Sequence, residues 1–100
     1  MPFGDFVNAI PAPVFLLIHL VLFLAGAFFA YRSFSVGATL VGLGFSFFAL
    51  AEISYMTYHL DWTVFLFAHT VSEVLVLLGF GSVFVGAVRR GLLQASAGTR

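Results

Sequence analysis

The chain has 100 residues, of which 62% are hydrophobic and 8% charged, and its formal net charge is zero with histidine neutral. Soluble domains carry about 25% charged residues, and a fold of this size cannot hide so much apolar surface from water. A mean hydropathy of +1.14 therefore makes lipid the expected solvent. The only basic residues besides histidine are Arg32, Arg89, Arg90 and Arg100, too few and too scattered for a nucleic-acid partner. Cysteine is absent, which excludes disulfides, thiolate metal sites and Cys-anchored lipids.

Residues 1–10 read as a short pre-helical segment in which Phe3 and Phe6 suit the membrane surface. Three apolar runs follow, over about 12–31, 36–60 and 63–88. Each has the roughly 20 residues that a helix rising 1.5 Å per residue needs to cross about 30 Å of hydrocarbon. Pro11 and Pro13 sit where a helix start tolerates them. The segment before the first run has no basic residue and contains Asp5, unlike a secretory leader, so Ala25-Gly26-Ala27 is expected to stay uncleaved. The connections, 32–35 and 61–62, are short enough to force neighbouring helices antiparallel. Residues 91–100 read as a mobile tail. The expected fold is all-α: an integral membrane three-helix antiparallel bundle forming one transmembrane domain over 1–100. Arg32, Arg89 and Arg90 fall on one side, so the positive-inside rule puts the N-terminus outside and the C-terminus in the cytoplasm.

Polar residues inside the runs carry the functional argument. A charged side chain at mid-helix depth costs roughly 2.5–3.5 kcal/mol on insertion scales, so it should face protein or water and find a partner. Helical rise places His19, Glu52, His69 and Glu73 about 10, 12, 9 and 15 Å from one membrane face. His69 and Glu73 are spaced i, i+4 and share a helix face, with Ser72 beside them. Glu52, Tyr55 and His59 form a second stripe, with His59 nearest the surface. Small residues lead towards the same level: Ala38, Gly42, Ser46 and Ala49 on the second run, Ser72, Gly79 and Gly86 on the third, Gly26 and Ala30 on the first. At this spacing they permit close helix approach in a bilayer.

Four readings fit the cluster. The leading one is proton or ion handling through Glu52, His69, Glu73 and His19, with His59, Tyr55 and Ser72 in support, inside a redox or transport complex. No ionisable group lies in the opposite half of the spans, so a complete path needs a partner subunit. A second reading takes His19, Glu52, His69 and Glu73 as ligands of a divalent metal such as zinc or iron. A third makes His19 and His69 axial ligands of haem b or a chlorophyll. The fourth is an assembly subunit whose polar layer sets helix register. Lipid and other membrane subunits, or copies of the same chain, are the expected partners under each. No phosphate loop or nucleophile elbow is present, and His69 and Ser72 lack a third residue for a triad, so an enzyme acting alone is not expected.

In length, span number and intramembrane glutamates the chain resembles the small three-helix subunits of respiratory complexes, such as the smallest antiporter-like subunit of proton-pumping NADH dehydrogenase. In that family the key glutamate follows the basic loop between spans one and two. Here Glu52 stands at the far end of span two from Arg32, and no functional residue carries across. The three-helix anchor subunits of succinate dehydrogenase match in size but not in their quinone-site motifs.

Overall fold

The computed structural model describes residues 3–98. A 3₁₀ turn over Asp5–Ala9 leads into three helices: α1 (Ala12–Ser35), α2 (Thr39–His59) and α3 (Phe65–Gly98). All three are long and apolar enough to cross a membrane. Pro11 takes the N-cap position of α1 and Pro13 lies in its first turn, where the missing N–H would have no helical partner anyway.

Both connections close with the same device. In the first, Ala38 N–H donates to the Ser33 carbonyl at 2.8 Å and Gly37 N–H to that of Phe34 at 3.1 Å, with Gly37 at φ +81°. In the second, Trp62 N–H donates to Thr57 and Asp61 N–H to Tyr58, at 2.9 and 3.0 Å, with Asp61 at φ +64°. This is the Schellman cap, which satisfies the last helical carbonyls while reversing the chain. The first turn therefore lies at 36–38, and residues 32–35 belong to α1 instead of forming the loop that the sequence suggested.

The second difference is at the C-terminus. α3 does not stop near Val88 but continues through Gly98, so residues 91–98 are helical where a tail was expected; residues 99–100 lie outside the described part. Leu92, Leu93, Gln94 and Ala95 are all good helix formers, and extending an existing ladder avoids the cost of a new nucleus. At 1.5 Å per residue α3 is about 50 Å long, well beyond a 30 Å hydrocarbon layer.

The helices lie antiparallel in an open layer with α2 in the middle. α2 packs along both neighbours, whereas α1 and α3 nowhere approach within 8 Å at Cα. The molecule measures 60 × 28 × 21 Å. Buried side chains are small: Ala30, Ala38, Ala49, Ala51, Ala68 and Ser72. Two small-residue seams explain this. On one, Gly26 of α1 meets Ala49 of α2, and the Phe34 ring covers Gly42. On the other, Gly44 sits against Gly79 and Val83, and Gly86 against Leu40 and Val41. Ser72, fully buried, donates its hydroxyl to the Ala51 carbonyl across that seam at 3.1 Å. Large side chains such as Leu17, Phe28, Leu77 and Phe84 point outwards, as lipid solvation allows.

Candidate functional site

The Schellman turns set which residues meet. Phe15 and His59 lie equal numbers of residues either side of Gly37, as do His19 and Tyr55. Each pair is in ring contact, with centroids 5.1 Å apart. Glu52 is one helical turn from Tyr55, and its Oε2 lies 2.5 Å from His19 Nδ1. That contact joins α1 to α2 about 10 Å below the helix ends. The two side chains retain 17% and 20% of their exposure, so the pair is largely but not wholly sealed.

Rings extend the site to the third helix. His19 stacks on His59 at 5.3 Å, Tyr58 meets His59 edge-on at 5.0 Å, and Phe65 meets Tyr58 at 5.4 Å. His69 stacks on Phe65 at 5.3 Å. All three histidines of the chain thus belong to one cluster at one end of the molecule. An open cleft of about 420 Å³ lies against it, lined by Phe15, His19, Tyr55, Tyr58, His59 and Phe65. Val7, Asn8 and Ile10, within and just after the 3₁₀ turn, form its outer wall. Such a volume admits small molecules or several waters.

The predicted site residues divide. His19, Glu52, Tyr55 and His59 come together, and the pairing that forms is His19 with Glu52. Ser72 is used in helix packing. His69 reaches the cluster only through Phe65. Glu73 does not join: it is exposed, and among the described residues no side-chain hydrogen bond or ion pair reaches it. The expected intrahelical link between His69 and Glu73 is absent there, since the His69 ring lies on Phe65 instead. The metal reading is not supported. Among the described residues no group of three or more His, Asp or Glu side chains is placed to hold an ion, because Glu73 faces away from the α2 seam while His19 and Glu52 lie between α1 and α2. The two histidines expected to share a haem sit on helices that do not meet, with His59, Tyr58 and Phe65 in the ring path between them.

No protein family matches the chain, and neither the curated proteins nor the solved structures offer a similar one. The likeness to respiratory subunits therefore stands on length, span number and the intramembrane glutamates alone.

Sequence reasoning missed Phe15, Tyr58 and Phe65 as parts of the site. The signal was available: equal steps about Gly37 pair Phe15 with His59, and equal steps about the Asp61–Trp62 turn pair Tyr58 with Phe65. Chemically, an imidazole held against a carboxylate has its orientation fixed and can pass one proton across the contact, while its other ring nitrogen faces elsewhere. The protein is an integral membrane protein by its three spans, and this pair is its one ion pair between helices among the described residues.

Proposed function

We propose that the chain is a small three-span subunit of a larger membrane assembly, and that His19 and Glu52 take up and release protons within it. The observation that carries this is the 2.5 Å contact between His19 Nδ1 and Glu52 Oε2. It lies inside the apolar layer, yet beside a cleft that opens at the helix ends. His59 stands at that cleft and supplies the second titratable ring, with Asn8 and the tyrosine hydroxyls as partners for water. Protons would enter from the surface at the Asp61 end. Between the level of His19, Glu52 and Glu73 and the arginines at the other end, the spans hold no acidic residue or histidine, so onward transfer belongs to a partner chain. By the positive-inside rule the Asp61 end, and the N-terminus with it, faces out of the cytoplasm.

Proton exchange in the purified protein tests this without the partner. In bilayers, proton NMR of the ¹⁵N-histidine-labelled chain should show a strongly deshielded His19 ring proton that disappears in Glu52→Gln. Removing a relaying acid–base group typically slows transfer about 100-fold or more, so His59→Phe, which keeps the ring stack, should slow exchange of that proton with water on this scale. A His19 proton unaffected by Glu52→Gln, or exchange unaltered by His59→Phe, would refute the reading.

A further inference from the structure

We propose that α3 pairs with α3 of a second copy of the chain along a stripe centred on Glu73. Leu66, Thr70, Glu73, Leu77, Phe80 and Phe84 alternate by four and three residues. At 3.6 residues per turn this stripe lies about 150° around the helix from the Ala68–Ser72–Gly79–Gly86 seam that holds α2. All six are exposed, Leu66 to 72% and Leu77 to 71%. Glu73 is therefore a carboxyl on the lipid-facing side of an apolar helix, about 12 Å from the start of α3 at Phe65. Hydrocarbon gives it no partner, and the described part of its own chain gives it none. An ionisable group so placed is expensive unless another chain satisfies it.

The stripe itself indicates which chain. A carboxylic acid is complementary to its own copy: protonated, it offers a donor and retains an acceptor. Two such groups facing across a two-fold axis along the membrane normal satisfy each other, because such an axis brings each residue opposite itself. Thr70, one turn away on the same stripe, adds a hydroxyl at the contact. The four-three spacing is the seam of a left-handed helix pair, with Leu66 and Leu77 as apolar layers either side of the polar one. Phe80 also meets the Phe48 ring of α2 edge-on at 5.0 Å, but the pairing does not involve α1 or the His19–Glu52 contact, and so goes beyond the proton reading without depending on it.

Absence of native cysteine makes single-cysteine cross-linking clean. In reconstituted vesicles, Leu77→Cys should form disulfide dimers far faster than Leu78→Cys, its neighbour off the stripe. Adding Glu73→Leu should weaken association about tenfold, as loss of an interhelical hydrogen bond does in model spans, whereas Glu73→Gln, which keeps a donor and an acceptor, should preserve it. Equal cross-linking at the two cysteines overturns the proposal, as does an undiminished yield with Glu73→Leu or a Gln variant that falls with it. Glu52→Gln should leave the cross-linking unchanged, so failure here and failure of the proton reading are separately visible.

Discussion

Asp61 sits where glycine would be most at ease. Its φ of +64° is left-handed, a conformation that costs a residue with a Cβ roughly 1–2 kcal/mol, less for aspartate because its short polar side chain adapts locally. Gly37 occupies the equivalent place in the first turn without that penalty. Asp61→Gly should accordingly raise stability by up to about 1 kcal/mol, and Gly37→Ala should lower it by a similar amount, both read from unfolding in mixed micelles. Ser72 makes the opposite case. It is fully buried and bonds across α2 and α3. Ser72→Ala should cost only about 0.6 kcal/mol, the average for polar contacts between membrane helices. Ser72→Val should cost more, because its added methyls have no room. A Val variant as stable as the Ala variant would show that the seam yields.

At the scale of helices, close approach between α2 and α3 decides what can pack. A methyl added at Gly79 would meet the Gly44 carbonyl at 2.9 Å and the Phe48 ring at 2.8 Å, whereas one added at Gly81 meets nothing within 4 Å. Gly79→Ala should therefore destabilise by about 1–3 kcal/mol through overpacking. Gly81→Ala should be neutral or stabilise by up to about 1 kcal/mol, from helix propensity alone. Thermal unfolding of the two variants in one detergent checks the contrast, and equal effects would mean that the glycines do not set the helix spacing. These seams were legible in the sequence as small residues repeating every three or four positions. So was the level at which polar groups gather. The pairing was not, because i, i+4 spacing shows that His69 and Glu73 can meet but not that a nearby Phe65 competes for the imidazole. Glu73 follows the packed Ser72 by 100° of rotation, enough to turn it from the seam to the lipid, and only knowing which stripe α2 covers reveals that.

Over the whole molecule, polarity is divided between the two ends. Histidines, both carboxylates of the spans, Asp61 and Trp62 gather towards one, while Arg32, Arg89 and Arg90 mark the other. α1 and α3 flank α2 without meeting, so each helix of the outer pair keeps a broad face for lipid or for other chains. Composition made the membrane class legible, and span length made the helix number legible. The overhang of α3 was not, since Leu92, Leu93, Gln94 and Ala95 suit a helix in water or in lipid equally well. That overhang bears on orientation. Arg89 and Arg90 are about 36 Å from Phe65 along the helix, just past the hydrocarbon, which puts them within the short distance over which basic residues fix topology. The positive-inside rule then predicts that cysteines placed at Ser35 and at Leu93 are shielded from a membrane-impermeant thiol reagent in intact cells, while one at Asn8 or Trp62 reacts. Replacing Arg32, Arg89 and Arg90 together by Gln should remove the bias and leave both ends partly reactive. Labelling at Ser35 with protection at Trp62 in the unaltered chain would invert the topology, and with it the side from which protons reach His19.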